Sequence, residues 1–202
     1  MSRWRKIARA LVGGHASAVT EDRRVLEKVI FAHYATLADI RTVLFVGCEF
    51  YTKQYERGFA GRNYWTIDAD PGQRRFGGKQ HVVGRLEQLR RHFPGGFFDL
   101  IVCNGVYGWG LNRAEDCETA LIECHACLAD GGHLIFGWND MPRWDPAPLT
   151  AIRAFSSFAE YVVPSLGSKY LTETTYRHTY RFLQKPRGPS RNPAPHGRSS
   201  TS

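Results

Sequence analysis

Residues 41–71 constrain the fold more than any other stretch, because two strand-like runs flank a loop and a helix there. Residues 42–46 are a continuous run of β-forming residues, typical of a strand buried on both faces, and Gly47 ends it. The second run, residues 64–67, leads into Asp68, 21 positions after Gly47. In doubly wound folds, an acid about 20 residues beyond such a glycine binds ribose hydroxyls. The stretch therefore predicts a crevice for a nucleotide-type ligand between a backbone loop and a carboxylate.

Strand-like and helical patterns alternate along the rest of the chain as far as residue 138. The predicted elements, in chain order, are a helix over 20–37, a strand over 42–46, a helix opening at 51–57, strands at 64–67 and 80–83, a helix at 86–92, a strand at 97–104, a helix at 114–128, a strand at 133–138 and a helix at 149–161. This alternation predicts right-handed crossovers and a mostly parallel sheet with helices on both faces. Residues 174–183 alternate in character, which predicts an antiparallel edge strand added last.

The chain length and the composition of its ends predict one domain with two tails. A chain of 202 residues is long enough for one domain of ordinary size. Residues 1–19 are predicted to be a basic N-terminal segment and residues 20–185 the domain itself. Residues 186–202 are almost entirely Pro, Gly, Ser, Arg and Asn, a composition that predicts a disordered tail.

The positive charge of the chain lies at its two ends. Residues 1–10 and 185–202 each hold four basic residues and no acid, which accounts for the whole net charge of +8. The body between them is electrically balanced, so we expect no nucleic-acid partner. No apolar run approaches the roughly 18 residues that a membrane span needs, so we expect no membrane insertion. The five cysteines are scattered and odd in number, which predicts a reduced, cytoplasmic protein.

Four motifs in register resemble the class I S-adenosylmethionine-dependent methyltransferases. They are residues 43–48, residues 66–68, residues 98–104, and residues 123–128 followed by 131–135. The similarity covers roughly residues 40–140 in the order and spacing of that family. It implies an α/β Rossmann-like three-layer sandwich with a seven-stranded, mostly parallel sheet and an antiparallel C-terminal strand. The implied activity is direct in-line transfer of a methyl group from S-adenosylmethionine to a small-molecule or sugar-type acceptor.

The resemblance also assigns the cofactor-binding residues. The loop after the first strand lies under the methionine part of the cofactor, Asp68 binds the ribose, residues 84–86 lie near the adenine, and residues 103–105 face the reacting methyl group. The predicted cofactor-binding set is Gly47, Cys48, Glu49, Asp68, Ala69, Arg85, Leu86, Cys103, Asn104 and Gly105. A carboxylate suits a ribose diol, because it supplies two strong acceptors for charge-assisted hydrogen bonds.

The loop after the first strand departs from the family pattern. An acid and three alternating glycines are usual there, whereas this chain has Phe45, Gly47, Glu49 and Tyr51. Three interpretations remain open: Glu49 accepts a hydrogen bond from the amino group of the cofactor, the loop has lost cofactor binding and Glu49 is merely solvated, or Glu49 makes some other contact. Arg85 stands near the place of the usual acid after the third strand. The altered loop is the reason to keep an alternative function, a non-catalytic binding or scaffold protein with this fold.

Polar and aromatic residues follow the fourth and fifth strands, at the sheet edge where open α/β sheets bind ligands. Asn104 and Tyr107 are the catalytic candidates, and the predicted acceptor contacts are Trp109, Asn112, Trp138 and Asn139. This group suggests an acceptor with a flat or sugar-like face. The alternative for the two tryptophans is that they cap the apolar core.

Other reactive residue types have simpler explanations. Residues 124–127 read Cys-His-Ala-Cys, but no second pair follows at zinc-finger spacing, and Cys117 and Cys124 share the apolar face of a predicted helix. We therefore expect core cysteines and no metal site. His81 and His133 are predicted to be structural, and His178 to be packed rather than catalytic. A hydride-transfer enzyme is the third and weakest candidate. The loop after the first strand lacks the second and third glycines of a dinucleotide fingerprint, which counts against that activity.

Overall fold

A mixed β-sheet forms the centre of the molecule in the computed structural model, which describes residues 20–140 and 149–188. The strands are β1 (Thr42–Val46), β2 (Asn63–Asp68), β3 (Gln80–Val83), β4 (Phe98–Asn104), β5 (Leu128–Asn139), β6 (Ala159–Glu160), β7 (Lys169–Leu171) and β8 (His178–Gln184). Their order is β3-β2-β1-β4-β5-β8-β6, and β7 also pairs with β8. Neighbouring strands from β3 to β5 are parallel, and β8 is antiparallel to β5. The predicted fold class is confirmed.

The described strands number eight rather than seven because two short ones share the position beyond β8. β6 pairs with the end of β8 near Gln184, and β7 pairs with residues 179–181 of β8. The prediction that the last strand lies at the edge of the sheet was therefore wrong. β8 has neighbours on both sides, and residues such as Thr179, Tyr180 and Phe182 are fully buried. The predicted start at residue 174 was also too early, because residues 174–177 form a turn in which Arg177 has a φ of 47°.

Two long helical elements pack on opposite faces of the sheet. The first, α1, consists of Glu21–Val25, a π-helical turn at Leu26–Ile30, and Phe31–Thr36. The second, α2, is Ala114–Cys127. The other helical elements described are short 3₁₀ segments, at Thr52–Phe59, Pro71–Phe76, Leu86–Arg91, Leu149–Ala151 and Arg153–Ser157. The helix predicted over 149–161 stops at Ser157, because residues 159–160 form β6 and bond to β8 instead.

Each face of the sheet has its own apolar core. On the α1 side, aromatic residues including Phe31, Tyr55 and Phe59 pack edge to face. On the α2 side, Cys117 and Cys124 lie fully buried, as predicted, among aliphatic and aromatic side chains. All five cysteines are free thiols, and burial raises the pKa of Cys117 to about 12.

Several sequence predictions fall wholly or partly outside the described residues. These are the basic segment 1–19, a proline-rich loop that the sequence predicts over residues 139–148 and of which only residues 139 and 140 are described, and all but residues 186–188 of the tail 186–202. In the part of the chain that the structure covers, no helix combines the length and the apolarity needed to cross a membrane.

A buried carboxylate joins α2 to the 3₁₀ segment Leu86–Arg91. Glu123 is 7% exposed, and its two oxygens accept hydrogen bonds from the backbone N–H and from Nε of Arg90, both at 2.8 Å. Burial alone raises the pKa of Glu123, but the bonds from Arg90 outweigh it and the net shift is downward.

We expect Glu123→Gln to lower the free energy of unfolding at neutral pH by about 1–2 kcal/mol, because a charge-assisted hydrogen bond is lost. The pKa of Glu123 is lower in the folded state than in the unfolded chain, so this stabilisation is present above the ordinary value of 4.5 and is lost as the pH falls through the folded pKa. Urea unfolding of both proteins at about pH 7 and about pH 3.5 measures this, and the difference shrinks at the lower pH.

Glu115→Gln is the matched control, because the Arg113–Glu115 pair has side chains that are 70% and 72% exposed. A change within about 0.5 kcal/mol is expected there. An equal loss for Glu123→Gln at both pH values would show that the charge of Glu123 does not stabilise the fold.

Candidate functional site

The carboxyl ends of β1, β2, β4 and β5 meet at one edge of the sheet. β1 lies between β2 and β4 in the sheet. The chain runs from β1 to β2 and β3 on one side and then crosses back to β4 and β5 on the other side, so the strand order reverses at β1. Ligands of open α/β sheets bind in the crevice at such a switch point, because the flanking loops separate there. The structure thus brings the loops that begin at Gly47, Asp68, Asn104 and Asn139 to the same edge.

Asp68 holds the first two of these loops together. Its Oδ2 accepts a hydrogen bond of 2.7 Å from the backbone N–H of Cys48, and its Oδ1 accepts one of 2.8 Å from the backbone N–H of Asp70. The side chain is only 4% exposed. Gly47 makes the turn from β1 with a φ of 81°, which favours glycine. The predicted ribose acid therefore lies beside the glycine loop, and its first task is to fix that loop.

The Glu49 side chain connects the first loop to the 3₁₀ segment that follows the second. Its Oε1 accepts a hydrogen bond of 3.2 Å from Nε2 of Gln73, which lies in the 3₁₀ segment after β2 and is 8% exposed. Its backbone N–H bonds to Oγ1 of Thr52, which donates in turn to the Glu49 carbonyl. Glu49 is thus part of a bonded bridge between the loops and is not simply solvated.

Tyr51, at the place of the third glycine of the family pattern, packs under α1. The guanidinium of Arg23 lies 4.0 Å from the centroid of the Tyr51 ring, and burial raises the pKa of the phenol. The cation and the ring together cover the outer side of the loop. The Arg23 side chain therefore covers the position at which the family pattern has its third glycine.

The residues predicted near the adenine differ in their surroundings. Arg85 is exposed and pairs with Glu87 at 2.6 Å, whereas the Leu86 side chain is 5% exposed and belongs to the core on the α2 side. Ala69 is exposed in the loop after β2. Cys103 is buried in the same core as Leu86, and burial raises the pKa of its thiol. Because both side chains lie in the core, Leu86 and Cys103 can contact a ligand only through their backbone atoms.

Gly105 leaves open space directly after β4. It has a φ of 68°, and among the described residues no atom other than those of its chain neighbours lies within 4 Å of the position that a Cβ would take. Its backbone N–H donates to the carbonyl of Gly137 at 2.9 Å, which holds the start of the loop against β5. A ligand can approach the backbone closely at this point.

The predicted acceptor residues divide into buried and accessible ones. Tyr107 and Trp138 are 3% and 5% exposed and both pack against Phe136, so these rings cap the core. Trp109 is half-buried and Asn112 is exposed. Core capping was the alternative predicted for the tryptophans, and it describes Trp138 better than Trp109.

Asn104 and Asn139 are joined by a histidine that was predicted only to be packed. The Nε2 of His178 lies 2.8 Å from Oδ1 of Asn104, and its Nδ1 lies 2.7 Å from Oδ1 of Asn139. The ring is 4% exposed, and burial lowers its pKa to about 4 although Asp22 acts in the opposite direction. The ring does pack edge to face on Tyr180, but its polar atoms connect the ends of β4 and β5.

The register of three strands explains how this bridge forms. Asn139 lies directly opposite His178, and Gly137 lies beside Asn104. A Cβ on Gly137 would overlap Oδ1 of Asn104 and Nε2 of His178. The sequence shows the alternation that places His178 and Tyr180 on one face, but it holds no signal for the offset that pairs residue 178 with residue 139.

One known family matches the part of the chain that carries this site. Residues 44–136 match the family model described as a methyltransferase domain. The match extends from β1 to Phe136 in β5 and so includes the loops of the site that begin at Gly47, Asp68 and Asn104. Comparison of the sequence with curated proteins gives no significant match.

Several solved structures have the same fold. The N-methyltransferase NodS from Bradyrhizobium japonicum WM9, in complex with S-adenosyl-L-homocysteine, has a TM-score of 0.64 at 16% identity, with 91% of this chain and 98% of that chain covered. A TehB-like SAM-dependent methyltransferase from Corynebacterium glutamicum ATCC 13032 Kitasato gives 0.58 at 18%, covering 91% and 94%. The carbon methyltransferase CurJ gives 0.61 at 16%, covering 91% and 59%. With the domain match, these similarities confirm the predicted resemblance.

We expect Asp68→Asn to lower the free energy of unfolding by about 2–3 kcal/mol, because an amide nitrogen would face one of the two backbone N–H groups that the carboxylate now binds. Asp70→Asn is the matched control, since the Asp70 side chain is half-buried and accepts from the backbone N–H of Gly72 within its own turn, where an asparagine oxygen can take the same place. Its expected cost is below about 1 kcal/mol. Equal losses in urea unfolding would mean that the Asp68 bridge does not hold the loops.

We expect Gly137→Ala to cost about 2 kcal/mol or more, because the new methyl group displaces Asn104 or His178 and leaves a buried polar atom unpaired. Gly58→Ala serves as control, since its Cβ would meet Phe31 at an ordinary 3.7 Å. That substitution is expected to change stability by less than about 1 kcal/mol. Thermal unfolding compares the two variants, and a harmless Gly137→Ala would contradict the tight approach of the two side chains.

Proposed function

We propose that this chain, a class I S-adenosylmethionine-dependent methyltransferase by its domain match and fold, methylates a small-molecule or sugar-type acceptor by direct in-line transfer. The strongest single support is that the methyltransferase match covers the sheet edge where the Asp68-bridged loop and the open backbone at Gly105 meet. The antiparallel β8 also disfavours the hydride-transfer candidate, because the dinucleotide-binding fold continues with parallel strands.

The residues present at this edge fit the cofactor. Gly47 and Gly105 have left-handed backbone conformations, and the space beyond Gly105 admits a ligand close to the chain. A carboxylate offers about four lone-pair sites, so the Asp68 side chain can accept from a ribose hydroxyl while it also accepts from backbone N–H groups. In this proposal, the backbone of residues 47–49 lies against the methionine part, Asp68 and Ala69 against the ribose, and Arg85 and Leu86 near the adenine.

Positioning is the main task of the protein in this chemistry. When bound, S-adenosylmethionine supplies a methyl group that is already activated, so catalysis requires an acceptor lone pair in line with it and exclusion of water. Asn104 and Asn139 are the last residues of β4 and β5, and they offer neutral hydrogen-bonding groups to orient the acceptor. Trp109 adds a half-buried aromatic surface, which suits a flat or sugar-like face.

The charge distribution supports a small acceptor over a nucleic acid. The domain between the basic ends carries no net charge, so no overall positive field attracts a polyanion. The solved structures of similar fold include an N-methyltransferase and a carbon methyltransferase. The fold alone therefore does not determine the acceptor atom, and we expect the loops around the site to do so.

A non-catalytic protein with the same fold is the second candidate. It is favoured by the bonded side chains that replace two glycines: Glu49 bridges to Gln73, and Tyr51 lies under Arg23. Arg85 near the place of an acid also changes the charge expected beside the adenine. Cofactor binding discriminates between the two candidates.

We expect calorimetric titration of the folded protein to show micromolar binding of both S-adenosylmethionine and S-adenosylhomocysteine. Absence of binding in a sample shown to be folded would favour the non-catalytic candidate. If Glu49 accepts from the amino group of the cofactor, Glu49→Gln weakens binding by about tenfold to a hundredfold, the equivalent of one charge-assisted hydrogen bond. Glu115→Gln, with its exposed side chain on α2, is the control and binds like the parent protein.

A further inference from the structure

We propose that His178 is a positioning residue that holds the amides of Asn104 and Asn139 in opposite orientations. One amide then presents its NH₂ group to the acceptor end of the crevice, and the other presents its oxygen. The inference rests on the proposed function only in assigning this end of the crevice to the methyl acceptor. The arrangement of the two amides follows from the contacts of the ring.

Both nitrogens of the His178 ring are occupied by amide groups. The distances to the two asparagine Oδ1 atoms are 2.8 Å and 2.7 Å, and both lie within the range of good hydrogen bonds. A neutral imidazole has one N–H donor and one acceptor nitrogen. It satisfies both contacts only if one asparagine turns its oxygen to the ring and the other turns its NH₂ group. Amide oxygen and nitrogen positions are assigned from such networks, so this exchange leaves the geometry unchanged.

The surroundings of His178 favour the neutral ring. Two amide oxygens facing it would require an imidazolium, which burial at 4% exposure disfavours. The charged side chain that acts on the ring is Asp22 in the first turn of α1, and the neighbouring Tyr180 hydroxyl donates to the carbonyl of Asp22. The attraction of Asp22 raises the pKa of His178 but is outweighed by burial.

The backbone around His178 is held as firmly as its ring. Arg177, in the turn before β8, is the non-glycine residue with positive φ within the described ranges. Its carbonyl accepts hydrogen bonds from the backbone N–H of Asp140 and from Oγ1 of Thr179. A non-glycine residue in this conformation persists only where its surroundings over-determine it, and such positions cluster at ligand sites.

The opposed amides define the chemistry of the acceptor. One donor and one acceptor side by side match a neutral group that carries both, such as an alcohol, an amide or a neutral amine. A carboxylate or a phosphate ester satisfies the NH₂ group but leaves the amide oxygen facing another oxygen. Discrimination of this kind is strong because the rejected ligand leaves a polar group of the site unpaired.

Nitrogen-15 NMR of the full chain labelled at histidine tests the arrangement without a substrate. His178→Gln assigns the signals. We expect one protonated and one unprotonated ring nitrogen throughout about pH 5–8. Either tautomer supports the inference, because each requires opposed amides. A doubly protonated ring, or two averaged nitrogen signals, would overturn it.

Asn104→Asp and Asn139→Asp provide a second measurement, since a carboxylate can only accept. At the amide that turns its oxygen to the ring, aspartate keeps the tautomer. At the amide that turns its NH₂ group to the ring, aspartate requires a second proton on the ring. We therefore expect the pKa of His178 to rise much further in one variant than in the other. Equal shifts would contradict opposed amides.

The acceptor chemistry is tested with acetamide and acetate as probes on protein saturated with S-adenosylhomocysteine. Acetamide is expected to shift the side-chain NH₂ signals of Asn104 and Asn139 at concentrations at least tenfold lower than acetate does. Equal or stronger effects of acetate would overturn the predicted preference. If the cofactor product fails to bind while the ring shows a single tautomer, the proposed function fails and the amide arrangement stands.

Discussion

The carboxylate of Asp68 is the interaction on which the crevice depends. A buried charge is tolerated only when its oxygens are hydrogen-bonded, and here two backbone N–H groups from different loops provide those bonds. The same two bonds fix the turn at Gly47 and start the 3₁₀ segment that carries Gln73. One residue therefore joins the ends of β1 and β2 and gives the loop a defined path, even though Glu49 and Tyr51 replace the glycines of the family pattern.

The other half of the crevice depends on a strand that arrives last in the chain. β8 inserts between β5 and the short strands β6 and β7, and this places His178 opposite Asn139. Gly137 lacks a side chain, so the ring reaches across β5 to Asn104. Fully satisfied buried polar groups specify a single geometry, because every alternative leaves a donor or acceptor unpaired. Each half of the crevice is thus held by a buried polar side chain that bonds two separate segments. On one side it is the carboxylate of Asp68, and on the other the imidazole of His178.

Sequence patterns predicted the sheet and the position of its crevice from local information. The run ending at Gly47, the acid at Asp68 and the polar end of β4 at Asn104 each depend on the order of residues within one strand and its following loop. The helices were less predictable, because short 3₁₀ segments such as Leu86–Arg91 have the apolar spacing of a helical turn but too few residues for a longer helix. The edge position predicted for β8 failed because its neighbours, β6 and β7, have two and three residues and leave almost no pattern.

By itself, the sequence determined where the six longer strands lie and which polar residues stand at their carboxyl ends, because burial and backbone preference act over a few neighbouring residues. The tertiary structure decided which side chains meet there. The bond from Cys48 to Asp68 spans 20 residues, and the one from His178 to Asn104 spans 74. Such contacts depend on strand register and on the missing Cβ of Gly137. Alternation along one strand sets the face of a side chain, but only pairing with another strand sets its partner.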